Sequence, residues 1–171
     1  MYNLPIFLNA AHKILQSHPK THFLLVGEGE QRKELENLAI GLGIETQVTF
    51  TGGVSSKRVA TFLACSDIVV DTYQTKHGGG GIGMGLLEAM ASGVPPVTVS
   101  NPWIDDFMTT HNVGHKYKGG DVSDLVSKLV KLLDDHRRKI LGEKCREVVL
   151  KHYNWQDSIN KIKVLYNELN K

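Results

Sequence analysis

An α/β fold is what this sequence predicts: an open, Rossmann-like parallel sheet with helices on both faces. Three observations carry it. Short apolar runs alternate with longer stretches of helical period along most of the chain. The run at 23–26 is almost continuously apolar, which suits a strand buried on both faces. Glycine-rich turns follow these runs at Gly27-Glu28-Gly29, at Thr51-Gly52-Gly53 and from His77 to Gly85. In such sheets ligands bind at the carboxyl ends of strands, where strand order reverses, so all three turns should line one rim.

The first helix is expected over residues 4–17. Leu4, Phe7, Leu8, Ala11, Ile14 and Leu15 recur at helical intervals, and Pro5 fits the first turn. A strand at 23–26 leads into a helix over 30–42 that Gly43 closes. Residues 47–50 read as the second strand. Ser55 or Ser56 could cap the next helix, which runs to about Cys65. A third strand at 68–70 precedes the long glycine loop, and helix resumes over 86–91. Pro95-Pro96 opens a strand at 97–99, a tolerated place for proline. A short helix at 105–110 and a last strand at 114–117 follow. Asp121 is a candidate N-cap, with Asp124 placed as in a weak capping box. Beyond it the pattern is helical throughout, with one stripe of Leu125, Leu129, Leu132 and Leu133. Ile140, Val148 and Val149 mark a second helix; Trp155, Ile159, Ile162, Leu165 and Tyr166 mark a third. There is no internal repeat and no low-complexity linker, so 1–171 reads as one domain.

Bulk properties narrow the function. The 171 residues suffice for one domain with a real core. A composition of 41% hydrophobic and 22% charged residues is that of a soluble globular protein. A formal charge of +2 is too small for a nucleic-acid surface. The one tight basic cluster, Arg137-Arg138-Lys139, is expected on a solvated helix face. Cys65 and Cys145 have no ligand spacing and read as reduced, buried thiols of a cytoplasmic protein. No apolar run approaches the roughly 20 residues of a membrane span. The first residues lack the charged-then-apolar pattern of a secretory signal.

The loop from His77 through Gly78, Gly79, Gly80, Gly81, Ile82, Gly83, Met84 and Gly85 carries the chemistry. Strand, glycine loop and helix start together can hold an anion. Glycine lets backbone approach a ligand, the first helical N–H groups lack partners, and the helix dipole adds about half a positive charge. Glu88 stands shortly after, an ionisable group on an apolar helix. The pairing suits a diphosphate held by backbone and a hydroxyl-bearing group held by a carboxylate. A flexible loop with a solvent-facing glutamate is the bland alternative. His77 lies on the rim, where a plain surface histidine is the simpler reading. Asp67 and Asp71 read as turn formers, and Met84 and Met90 as core packing. The dinucleotide fingerprint and the Walker lysine are absent, as are a Gly-x-Ser-x-Gly elbow, Cys-x-x-Cys and His-Glu-x-x-His.

The stretch Gly83-Met84-Gly85-Leu86-Leu87-Glu88-Ala89-Met90-Ala91-Ser92-Gly93-Val94-Pro95-Pro96-Val97 resembles the signature of family-4 retaining glycosyltransferases of GT-B fold. Phe23 to Glu30, Val48 to Val54 and Tyr153-Asn154-Trp155 are similar to family segments in the same order. The resemblance covers nearly the whole chain. It implies the donor-binding, C-terminal half of a two-domain enzyme that takes sugar from a nucleotide-sugar. The nucleotide-sugar is a co-substrate, and neither cofactor nor metal is expected. Gly81, Ile82, Gly83, Met84 and Gly85 match the segment that meets diphosphate and sugar. Glu88 matches the ribose-binding glutamate, Val54 with Gly53 the base contact, and Gly27 and Gly29 the turn that leaves room for the nucleotide.

Two departures stand out. The family pairs two glutamates eight positions apart, and counting back from Glu88 gives Gly80, so the catalytic role is unassigned; His77 is a conceivable substitute. The family also has a strand before the first helix, bearing an arginine and a lysine that clamp phosphate. That strand and the acceptor-binding half are not in this sequence, so an excised fragment is expected. The expected partners are a nucleotide-sugar donor and an N-terminal acceptor domain. The parent would be a cytoplasmic protein, associated peripherally with the inner face of the membrane. A degenerate, non-catalytic nucleotide-binding or interaction domain is the alternative, with a flavodoxin-like mononucleotide binder as a third reading.

Overall fold

A computed structural model describes residues 2–73 and 82–169. Helix α1 (Leu4–Ser17) is followed by β1 (Phe23–Leu25), α2 (Arg32–Gly41), β2 (Val48–Phe50), α3 (Ser56–Ala64) and β3 (Val69–Asp71). Then come α4 (Met84–Ala91), β4 (Pro96–Val99), α5 (Pro102–His111), β5 (His115–Tyr117), α6 (Val122–Leu133), α7 (Arg138–His152) and α8 (Trp155–Leu169). The alternation expected from the sequence is present, and every strand ladder is parallel. The sheet differs from expectation in its continuity. Among the described residues β1 pairs only with β2, while β3, β4 and β5 form a second sheet in that order, and no ladder joins β1 to β3.

The helices fall into two sets. Helix α1 contacts α2 and α6, and α4 contacts α3 and α7. The first set encloses the larger core: Leu8, Ile14, Leu125 and Leu132 meet Val97, Val99 and Tyr117 from the sheet. The second set encloses Leu86, Met90, Met108, Cys145 and Val149. Helix α7 lies so close to the end of α4 that a Cβ at Gly142 would run into the carbonyl of Gly93. Only glycine permits this approach, and it fixes α4 against the domain.

Local chemistry explains most boundaries. The side chain of Asp121 accepts from the Asp124 N–H at 3.0 Å, as the N-cap reading requires. The Asp124 carboxylate accepts from the Lys118 N–H rather than closing a reciprocal box. That bond, aided by Lys128, holds its pKa below the usual value. Helix α5 starts earlier than expected because Asn101 caps it, accepting from the Ile104 N–H at 3.1 Å, with Pro102 in the first turn. Ser55 holds the N-cap position of α3, but its side chain makes no capping bond.

Other expectations are corrected. Arg138 is not on a solvated face: it donates to the carbonyls of Leu132 and Leu133, the end of α6, and reaches Asp67 at 2.9 Å. A cation there satisfies orphan carbonyls and opposes the helix dipole. Cys65 is exposed and only Cys145 is buried. Met90 is core, whereas Met84 is 60% exposed because it stands in the first turn of α4, beyond the packed face. The stripe Trp155, Ile159, Ile162, Leu165 and Tyr166 lies on α8 as the pattern predicts, and it is exposed. Among the described residues no helix is long and apolar enough to cross a membrane.

Candidate functional site

Three strand ends meet at one rim. At the end of β1 the chain turns through Gly27, whose φ of +132° disfavours any side chain. The Gly27 N–H donates to the Gly52 carbonyl at 3.2 Å, so the turns after β1 and β2 are pinned together. Arg32 braces them from below, pairing with Glu28 and Glu36 and reaching the Phe50 carbonyl. Gly53 is exposed and Val54 half-buried at the entry to α3. Among the described residues, chain neighbours and the helix's own backbone aside, no atom comes within 4 Å of where a Cβ would sit at Gly27, Gly29, Gly83 or Gly85. Internal packing therefore does not demand glycine at these positions; what glycine leaves there is open space.

Across the rim, β3 ends at Asp71. Its carboxylate accepts from the Thr98 hydroxyl and from the Tyr73 N–H, both at 3.0 Å. The buried Tyr117 hydroxyl donates to the Asp71 carbonyl, and burial beside Asp71 pushes its pKa well above the ordinary phenol value. The bond from Tyr73, two residues on, is the local contact expected of a turn former, and the bond from Thr98 is a further role that reading did not include. It ties β3 to β4 where the glycine loop departs, and its position at the strand's end was the available signal. Tyr2 stacks edge-on against Tyr73, with ring centroids 5.2 Å apart. Neither tyrosine nor Asn101 was singled out from the sequence.

The chain re-enters at Ile82 and starts α4 at Met84, two residues earlier than expected. Gly83 is its N-cap, in extended conformation and without a side chain to cap the helix. The Leu86 and Leu87 N–H groups bond back to the Gly83 carbonyl. Those of Met84 and Gly85, one step earlier, have no acceptor within the helix. Glu88 follows one turn on. It is exposed, and it lines the same cavity mouth as Gly83, Met84, Gly85 and Asn101. Among the described residues its carboxylate has no hydrogen-bond or ion-pair partner. Gly83, Met84, Gly85 and Glu88 thus line one cavity, Ile82 instead packs against the core of Leu86 and Met90, and Gly27, Gly29, Gly53 and Val54 follow the strands of the other sheet. His77, Gly80 and Gly81 lie outside the described residues.

Among the described residues the arrangement offers backbone N–H groups without acceptors at a helix start, a carboxylate without a partner one turn away, and glycine turns at the strand ends of the other sheet. That combination can hold an anion and a vicinal diol together.

Residues 1–165 match the family model described as glycosyl transferases group 1. The sulfoquinovosyl transferase SQD2 of Arabidopsis thaliana is 29% identical over 160 residues, covering 91% of this chain and 30% of its own length. A GDP-mannose-dependent alpha-(1-6)-phosphatidylinositol monomannoside mannosyltransferase of Mycobacterium tuberculosis is 29% identical over 136 residues, covering 77% of this chain and 35% of its own. The chain thus spans about a third of these relatives. The fold also matches a point mutant of S. aureus TarM, solved with fondaparinux, alpha-GlcNAc-glycerol and UDP. There the TM-score is 0.84 at 21% identity, over 97% of this chain and 33% of that one. With a family model that spans nearly its whole length, this chain belongs to the group 1 glycosyl transferases.

Proposed function

We propose that this chain is the nucleotide-sugar-binding half of a retaining, metal-independent enzyme. It would transfer a hexosyl group from a UDP- or GDP-sugar to a glycan or lipid-linked acceptor. The observation that carries this reading is the start of α4, where the N–H groups of Met84 and Gly85 have no acceptor within the helix, one turn before Glu88, which has no partner among the described residues. Ile82, Gly83, Met84 and Gly85 cradle the diphosphate, with Gly81 continuing the same segment. Glu88 accepts from the ribose hydroxyls. Gly53 and Val54 meet the base, and Gly27 and Gly29 leave it room. The printed names of the relatives support both bases: one is GDP-mannose-dependent, and the TarM structure holds UDP.

Transfer breaks the bond between the anomeric carbon and the diphosphate, and the electron pair leaves with the phosphate oxygen. A bond forms from the anomeric carbon to an acceptor oxygen, which gives up its proton. Negative charge therefore grows on the leaving diphosphate. Backbone N–H groups that are already oriented stabilise that charge without reorganising. The helix start alone contributes roughly 0.3–2 kcal/mol.

The test is titration of the chain with UDP and GDP, followed by amide NMR. Shifts are expected at Ile82, Gly83, Met84 and Gly85. Glu88→Gln should weaken either nucleotide roughly tenfold or more, the scale of hydrogen bonds to a charged group. It should leave the 2′,3′-dideoxy nucleotides unaffected. No shifts at millimolar ligand, or equal loss for the dideoxy forms, would overturn the reading.

A further inference from the structure

An apolar slot of about 1170 Å³ lies between β1 and β3, and its wall includes Gly83, Met84 and Glu88 at the start of α4. Asn101 and Ile104, at the entry to α5, line it as well. Trp103 stands between those two residues. It is no part of the slot wall and is 64% exposed. Helix α5 packs through Ile104, Phe107 and Met108, which are buried. Trp103, Asp106 and Thr110, at intervals of three and four, form a neighbouring face, and all three are exposed. The largest side chain of α5 therefore adds nothing to the core.

The backbone beneath this indole is tied down on every side. The Asn101 side chain accepts from the Ile104 N–H at 3.1 Å, and the Pro102 ring fixes its own φ in the first turn. The Ser100 hydroxyl donates to the Asp105 carboxylate at 2.7 Å. Lys116 Nζ donates to the Asp105 carbonyl at 3.4 Å and to the Thr109 hydroxyl at 2.9 Å. Asp105 is thus spent on holding the turn. Asp106 is not: it is exposed, and among the described residues its carboxylate has no hydrogen-bond or ion-pair partner. A fixed aromatic face with an unused carboxylate one helical turn away suits a sugar ring. One side of a pyranose presents C–H groups of slight positive charge, and the face of an indole is negative, so the two stack. The hydroxyls on the ring's edge need acceptors, and a carboxylate gives them charge-assisted bonds. Because the platform is already ordered, little freedom is lost when a ring settles on it. Other occupants fit less well. Asp105 and Asp106 repel an anionic lipid surface, and an unpaired carboxylate is costly to bury in a dry protein interface.

We propose that Trp103 and Asp106 form a saccharide subsite beside the nucleotide site, with the indole stacking on a neutral pyranose ring and the carboxylate accepting from its hydroxyls. Its place in the reaction rests on the transferase reading above; the stacking platform itself rests on Trp103, Asp106 and the turn that holds them. A nucleotide gripped at Gly83 to Glu88 leaves the indole uncovered, because Trp103 lies outside the slot. The ring that reaches it is either the acceptor's or the hexosyl group of the donor, and both present the same C–H face. Trp103 then selects for sugars with an unobstructed apolar face, a preference that the backbone contacts at α4 cannot supply.

The test follows the two indole N–H signals of the chain by NMR. The probes are the methyl α-glycosides of glucose, mannose and galactose, each alone and with saturating UDP or GDP, and then UDP-glucose and GDP-mannose. Trp155, also exposed, is the internal control. A saturable shift of the Trp103 indole is expected with at least one probe, and none for Trp155. Trp103→Leu, read at the Asp106 amide, should raise the dissociation constant about tenfold, the upper range for an aromatic stack, and Trp103→Phe should raise it less. Asp106→Ala keeps the indole in place and should also weaken the sugar about tenfold. All three variants should keep the affinity for UDP and GDP, read at Gly83, Met84 and Gly85. A response to a free glycoside assigns the platform to the acceptor ring. A response to a nucleotide-sugar alone, beyond that to the bare nucleotide, assigns it to the donor hexosyl group. If no probe shifts Trp103, the platform is overturned even where the nucleotides bind. It is equally overturned if Trp155 shifts as much, or if the Trp103 signal moves with protein concentration alone, which would mark a contact between copies of this chain. Glycosides that shift Trp103 while neither nucleotide shifts Gly83 to Gly85 would remove the nucleotide reading and leave the platform standing.

Discussion

β3 and β4 lie side by side, and both read as apolar strands, yet their environments differ. All four residues of β4 are buried, and none of the three in β3 is. β4 has a strand on each edge; β3 has β4 on one and the slot on the other. β1, the strand across the slot, buries only Phe23. The helices repeat the contrast. Helix α7 approaches α4 through Gly142 closely enough to exclude a methyl group, whereas α3 buries no residue although its apolar residues share one face. A parallel strand is thus buried by its neighbours. Its own hydrophobicity only makes burial favourable once they are present.

Thiol labelling should break this comparison most sharply. Cys65 is exposed beside the slot and Cys145 fully buried between α4 and α7. Labelling with a maleimide should modify Cys65 at least about 10³-fold faster, since Cys145 must await a large opening of the structure. Comparable rates would mean that the α4–α7 side is as open as the slot. Next in size, Gly142→Ala should cost about 2–3 kcal/mol in urea unfolding, because the added methyl drives α7 off α4. A loss below about 0.5 kcal/mol, on the order of a surface change, would contradict that close approach.

The strands themselves give a smaller contrast. Val97→Ala in β4 should cost about 2 kcal/mol, and Val70→Ala in β3 less than about half of that, because the Val70 side already borders open space. Equal losses would show that β3 is packed as β4 is. The smallest expected effect is alkaline. Burial pushes the Cys145 thiol from 9.0 up to about 11 in the folded chain. The folded state holds this proton where the unfolded chain has released it. The contribution is therefore complete below about pH 9 and lost as pH rises toward 11. By about pH 10 the loss should be about 1.4 kcal/mol, and Cys145→Ala should flatten the profile.

Much of the site was legible because its chemistry is local. Gly83 before an apolar run announces a helix start, and Glu88 follows on the same helix. Gly27 and Gly52 mark turns that require positive φ. Asp71 was legible as a turn former, but its contacts with Thr98 and Tyr117 were not, because those residues come from strands distant in sequence. The same holds for Arg138, which caps a helix other than its own. The apolar stripe of α8 was legible as a stripe, but a stripe does not say what, if anything, covers it.

The sequence by itself determined where helices and strands begin, that the strands run parallel, and which residues start α4. Each of these follows from periodicity, capping and turn chemistry within a few residues. Only the tertiary structure decided that the sheet lies in two parts, that Met84 and Cys65 face outward, and that the two sides of the candidate site belong to different sheets. Those outcomes depend on which segments become neighbours across the fold. Hydrophobicity fixes how much a side chain gains from burial and leaves open which partner supplies it.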